Sequence, residues 1–189
     1  MSGETEDAIQ EFLAISHYAR DARSLDADAF RARYGAHFLV RRGALSPERR
    51  PQRPQHTIAL KDGLDVAASG ARRGPTPTPD LVVFPVRATG RSPFPSIITV
   101  GRTKNNDVIL SDIGVSKFHA FFREEGDGRL VLQDAESRNG TFANGLPVPT
   151  KKLGKPSDVV PGTKVKFGML EFWLLDAADL QDLARRAFP

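Results

Sequence analysis

A chain of 189 residues, 40% hydrophobic and 26% charged, is long enough to bury one core and carry an extension besides. It has no Cys, which excludes disulfides, thiolate metal sites and a Cys nucleophile. A net charge of +4 is only mildly basic and falls short of a nucleic-acid-binding composition; the acidic start "MSGETEDAIQEF" has no signal-peptide core, and no apolar run approaches the roughly 20 residues of a membrane span, so the expectation is a soluble, cytoplasmic protein.

Residues 1–79 read as an extension. Within it, residues 5–34 predict two short helices. Thr5 caps the first, with Glu6 and Asp7 at its positive end and Ile9, Phe12, Leu13 and Ser16 along one face. Ser24 caps the second, where Ala29, Phe30, Arg33 and Tyr34 share a face and Gly35 ends it. Both apolar stripes are narrow, so the helices need something to pack against. "HFLV" and "HTIAL" each predict a short strand. The Pro-rich "SPERRPQRPQ" and "SGARRGPTPTPD" can continue neither helix nor sheet, and the second reads as a domain boundary. Residues 31–53 hold seven Arg against one Glu, a block that reads first as a solvated linker and second as a contact for an acidic partner or nucleic acid.

From residue 80 to 176 the pattern changes. "LVVFPVR", "SIITVGR", "DVIL", "HAFFRE", "RLVLQD", "TFAN", "KVKFG" and "LEFWLLD" are short apolar or alternating runs separated by turn chemistry, which argues for a mainly β fold, a sandwich of two sheets. Residues 177–189 predict a closing helix capped by Asp176, with Leu180, Leu183, Ala184 and Phe188 on one face. "AESRNGTFANG" holds two Asn-Gly pairs five positions apart, and Asn-Gly is a strong turn signal.

Several residues of this region suit anion binding. Arg102 follows Gly101 at a strand end and would project from a loop; its planar guanidinium can grip phosphate oxygens in bidentate fashion, although a lone Arg in a turn is ordinarily a surface charge. Ser116 offers a hydroxyl and Lys117 a second positive charge, and Arg138 stands beside Asn139, whose amide both donates and accepts. No nucleophile–base–orienter trio, phosphate loop, paired-His metal motif or kinase signature is evident, so no enzyme, metal or cofactor is expected.

"GRTKNNDVIL", "SKFHA", "SRNGTFANG" and "VVPGTKVKFG" occur in that order and spacing, and together they resemble the forkhead-associated (FHA) domain, over about residues 80–176. The resemblance implies a β-sandwich of two antiparallel sheets that binds phosphothreonine peptides. It assigns Arg102, Ser116 and Asn139 to the phosphopeptide, with Asn139 bracketing the ligand backbone, and implies a preference for threonine over serine; Lys117 and Arg138, read from their place beside these residues, add positive charge to the phosphopeptide site. It makes Gly101, His119, Gly140, Thr141 and Asn144 structural supports of the binding loops, Asn144-Gly145 being a plain reversing turn. The implied function is a non-catalytic signalling adaptor that recruits a protein phosphorylated by a Ser/Thr kinase. One alternative is a phospho-independent scaffold that uses the same fold and the N-terminal helices. Another is self-association, should Thr5, Thr76 or Thr78 be phosphorylated.

Overall fold

The computed structural model describes residues 12–43 and 74–189. Their strands and helices stack in three layers, a five-stranded sheet, a seven-stranded sheet and a layer of helices. The seven-stranded sheet comprises β1 (Leu13–Ala14), β2 (His37–Arg42), β3 (Leu81–Pro85), β8 (Thr141–Ala143), β9 (Leu146–Pro147), β11 (Lys164–Phe167) and β12 (Leu170–Asp176), in the order β1-β3-β2-β12-β11-β8-β9. The five-stranded sheet comprises β4 (Ile98–Gly101), β5 (Val108–Ile109), β6 (Ala120–Glu124), β7 (Leu130–Asp134) and β10 (Ser157–Val159), in the order β10-β7-β6-β4-β5. All pairs are antiparallel except β4–β5, where Val100 and Gly101 lie parallel to Val108 and Ile109.

The runs "FLV" and "LVVF" are continuous rather than alternating because their strands are buried on both faces. Leu39, Val82 and Phe84 face the other sheet, together with Val100, Phe122 and Leu132. Phe38, Val40, Leu81 and Val83 face the helices, and Leu175 of β12 joins them. The helices are α1 (Ser16–Ser24), α2 (Ala27–Tyr34) and α3 (Ala177–Ala187), and they bury Tyr18, Ala22, Phe30, Leu180, Leu183 and Ala184 against that face. None of the described helices is long and apolar enough to cross a membrane.

The strand expected at "HFLV" is β2, but it does not lie in a separate extension. It is hydrogen-bonded on one side to β3 and on the other to β12, in the interior of the seven-stranded sheet. The boundary expected at residue 79 therefore falls between two paired strands, because the apolar side chains on both faces of β2 need the sheet on one side and the helices on the other.

The first helix also differs from expectation. Thr5 and Ile9 lie outside the described residues, as does "HTIAL". Leu13–Ala14, expected to be helical, pairs with Val82–Val83 at the sheet edge, and the helix begins only at Ser16. A local apolar spacing of three and four is overridden here by an unpaired strand edge. The cap of α2 is Asp26, whose carboxylate accepts from Ala29 N–H at 2.8 Å, not Ser24, whose hydroxyl turns back to Arg20 O within α1. The cap at Asp176 is as expected, accepting from Asp179 N–H at 2.8 Å.

Helix α3 also closes the end of α1. Gln181, buried, donates to Ala22 O at 3.3 Å and to Leu25 O at 2.8 Å, and Arg185 Nε donates to Ala22 O as well. These bonds satisfy carbonyls that a helix end leaves open. Two buried hydroxyls, on Tyr18 and Thr78, stay unmatched among the described residues. Tyr18 Oη has no hydrogen-bond partner among the described residues, and burial pushes its ionisation far above the usual tyrosine range. A buried orphan hydroxyl costs about 1–3 kcal/mol. Tyr18→Phe is expected to raise stability by about 1 kcal/mol, seen as a higher urea midpoint at unchanged slope; a lower midpoint would mean that the hydroxyl has a partner.

Candidate functional site

The expected site residues other than Asn144 converge at one end of the sandwich, on the loops after β4, β5 and β7, against which the turn after β11 packs. Gly101 ends β4, and its backbone passes so close to the next loop that a Cβ there would stand 2.2 Å from Lys117 O. That carbonyl accepts from Asn106 Nδ2 at 2.7 Å and from Thr103 Oγ1 at 2.9 Å. Asn106 is buried and donates to Thr103 O too, at 2.8 Å. The turn after β4 is thereby clamped to the loop between β5 and β6.

The clamp sets Arg102. Its N–H donates to Ser116 O at 3.0 Å, and its side-chain Nε donates to Val115 O at 3.2 Å. One edge of the guanidinium is thus fixed to backbone, while the side chain remains exposed with its two terminal nitrogens available. Ser116 sits beside it, and its Oγ accepts from Arg138 N–H at 3.0 Å, which leaves the hydroxyl proton to donate elsewhere. Lys117 points its side chain to solvent while its carbonyl is held inside.

His119, fully buried, joins two of the loops. Ser116 N–H donates to its Nδ1 at 2.9 Å, so Nδ1 carries the lone pair and the ring proton is on Nε2, which faces Gly140 O at 3.1 Å. Burial pushes its pKa below the usual imidazole value, against smaller upward pulls from Gly140 O and Asp134. Gly140 O also accepts from Gly168 N–H at 3.0 Å. Gly168 has φ +60°, and a Cβ there would stand 2.5 Å from Gly114 O. Asn139 Nδ2 donates to that same Gly114 O at 2.8 Å, which tethers the exposed amide. Gly114 is in turn fixed by Asp112, whose carboxylate accepts its N–H at 2.7 Å.

Asp134, buried at the end of β7, shapes the loop that carries Arg138 and Asn139. It accepts from Ser137 N–H at 2.9 Å, Ser137 Oγ at 2.6 Å and Thr141 Oγ1 at 2.6 Å. Asp107 does similar work under β4, accepting from the N–H and Oγ1 of both Thr89 and Thr99 at 2.7–2.9 Å. Burial raises its pKa, yet those four bonds leave it below the usual carboxylate range. Neither aspartate, nor Asn106, stands out in the sequence, because "NND" and "QDAES" look like ordinary turn chemistry. Only their burial separates them from solvated turn residues.

The two Asn-Gly pairs differ in geometry. Asn144 and Gly145 both have positive φ, +49° and +82°, as a two-residue hairpin requires, and they join β8 to β9. In the first pair only Gly140 does, at +73°. Asn144 is not among the supports of the loop end. It lies at the other end of β8, where its Oδ1 accepts from Lys164 N–H at 2.9 Å, because β8 carries the chain away from Asn139 before it turns.

Two outcomes follow from this geometry. Gly101→Ala drives a Cβ into a backbone carbonyl that cannot retreat without breaking the Asn106 clamp, and should cost about 1–3 kcal/mol in urea unfolding; an unchanged midpoint would show the clamp to be soft. For His119 the folded pKa lies below the unfolded value of about 6.5. As pH falls below that value the unfolded chain takes up the proton first, so the contribution of His119 is complete above it and is lost as pH drops through the folded pKa. Unfolding midpoints measured from pH 8 to 5 should fall more steeply for the natural chain than for His119→Asn, which does not titrate; parallel curves would rule this out.

Residues 98–168 match the family model for the FHA domain. Over 103 residues, 53% of this chain, the sequence is 34% identical to the glycogen accumulation regulator GarA of Mycobacterium tuberculosis, covering 62% of that protein. Over 64 residues, 34% of this chain, it is 38% identical to the oxoglutarate dehydrogenase inhibitor of Corynebacterium diphtheriae, covering 44% of it. The chain spans less than two thirds of the length of the curated relatives it matches. Among solved structures, the FHA domain of the CT664 protein from Chlamydia trachomatis aligns with 74% of this chain and 97% of its own at 18% identity and a TM-score of 0.42.

Proposed function

We propose that the FHA domain matched at residues 98–168 reads phosphothreonine in a partner protein, and that the chain is a non-catalytic adaptor in Ser/Thr kinase signalling. The observation that carries this reading is the pairing of Arg102 with Ser116. The guanidinium is fixed through Nε to Val115 O, and one lone pair of its neighbour's hydroxyl is occupied by Arg138 N–H. Both donors are therefore set before any ligand arrives, and a donor arrangement that needs no reorganisation binds an anion with less entropic cost.

In this reading the phosphate takes bidentate donation from the two terminal nitrogens of Arg102 and a third bond from Ser116 Oγ. Lys117 and Arg138 add positive charge at the rim to balance a group that carries about −1.5 to −2 charges near neutral pH. Asn139, tethered through Nδ2 to Gly114 O, keeps its oxygen for a backbone N–H of the peptide. Gly101, His119, Gly140 and Thr141 hold the loops without touching ligand. Kinase substrates of this kind place the chain in the cytoplasm. The scaffold alternative loses its main surface, since the apolar residues of α1 and α2 are already buried against the seven-stranded sheet.

The test is a titration with phosphothreonine, phosphoserine and unphosphorylated versions of degenerate peptide libraries. Binding should require the phosphate and favour phosphothreonine. Arg102→Ala should weaken it by about 2–4 kcal/mol, at least about thirtyfold in Kd. Equal binding of the phosphorylated and unphosphorylated sets would end this reading.

A further inference from the structure

We infer that the lysine turn at residues 151–155 is a cationic shelf that reads acidic side chains flanking the phosphothreonine, an inference that rests on the phosphothreonine reading above. The sequence "KKLGK" supplies Lys151, Lys152 and Lys155, all exposed. Three lysines on a surface turn mean little unless the turn has a fixed place relative to the ligand, and this one has.

The turn closes on itself through Leu153 N–H and Gly154 N–H, both donating to Thr150 O at 2.9 and 3.1 Å. It is then fastened to β7 at two successive residues. Gln133, buried, donates from Nε2 to Gly154 O at 3.1 Å, and Thr150 forms a bridge with Asp134. Asp134 meets the turn through its backbone, its N–H donating to Pro149 O at 3.3 Å, while its carboxylate holds Ser137 and Thr141 and so shapes the loop of Arg138 and Asn139. One residue thus registers the shelf against the recognition loop. The two also touch at the surface, where Lys152 Nζ lies 2.8 Å from Glu136. Both side chains of that pair are more than half exposed, so the bond is weak and an incoming carboxylate can replace it.

The local charge is one-sided. Arg138, Lys117, Lys151 and Lys155 form no ion pair with an acidic residue among the described residues, whereas Arg33, Arg123 and Arg129 each hold an aspartate or glutamate. The acids near the loops, Asp112, Asp134 and Glu136, are outnumbered by Arg102, Lys117, Arg138, Lys151, Lys152 and Lys155, and Asp134 is buried. A peptide whose phosphothreonine sits on Arg102 and Ser116 therefore runs past unneutralised positive charge. Acidic neighbours fit that surface, and basic ones are repelled by it.

The experiment compares one phosphothreonine peptide with neutral flanks against versions carrying aspartates before, or after, the phosphothreonine, and against versions with lysines there. Anisotropy titrations are run on the natural chain, on the variant Lys151→Gln, Lys152→Gln, Lys155→Gln, and on Arg102→Ala. The natural chain should bind one of the two aspartate versions about five- to tenfold more tightly than the neutral peptide, a gain that shrinks as salt rises. The lysine variant should lose that gain and keep its affinity for the neutral peptide within about twofold. No aspartate gain on either side, or a gain that survives in the lysine variant, overturns the shelf while leaving phosphothreonine recognition intact. Phosphate-independent binding, or full affinity in Arg102→Ala, would instead fail the underlying reading.

Discussion

The carbonyl oxygen of Lys117 is the point on which the recognition end hangs. It takes bonds from Asn106 and Thr103 and fills the space that a side chain on residue 101 would occupy. It cannot move without dragging the strand end that carries Arg102. Because Lys117 follows Ser116, the same clamp sets the distance between the guanidinium and the hydroxyl. The placement of these two donors is therefore a backbone property first. Side chains of the right type would be useless on loops that drift by an ångström.

The other loops are tied in by groups that each serve two masters. His119 accepts from one loop and donates to another, and its burial keeps it neutral so that both bonds can form at once. Gly168 brings the β11–β12 turn against Gly114 and Gly140. Asp134 organises the loop of Asn139 from below. Shared partners of this kind make the loops cooperative, so a fault in one is felt in the rest.

Much of this was legible in the sequence. Eight apolar runs between turn signals announced the strands, and the ordered motifs around Arg102, Ser116, His119 and Asn139 pointed to the site. The residues that escaped notice are buried polar ones. Asn106, Asp107 and Asp134 sit in stretches whose composition is that of any exposed turn, and nothing local says which polar residue will be turned inward. The place of β2 was hidden for a related reason. "HFLV" predicts a strand but not its neighbours, and its partners lie beyond a long Pro- and Arg-rich stretch. The start of α1 and the cap at Asp26 were misplaced because pairing with β3 claimed Leu13–Ala14 and shifted the helix toward the C-terminus.

That sheet order has a consequence for how the molecule is made. Val40 of β2 pairs with Trp173 of β12, roughly 130 residues later in the chain. During synthesis β2 can pair with β3 first, but its other edge stays open until β12 has been made. Strands β4 to β7 find most of their partners among themselves, but the loops at their ends also wait for Gly168 to reach Gly114 and Gly140. Only the arrival of β12 and α3 closes the sheet interior and the helix layer together. Strand β12 and helix α3 thus complete a sheet and a helix layer whose first members lie far earlier in the sequence.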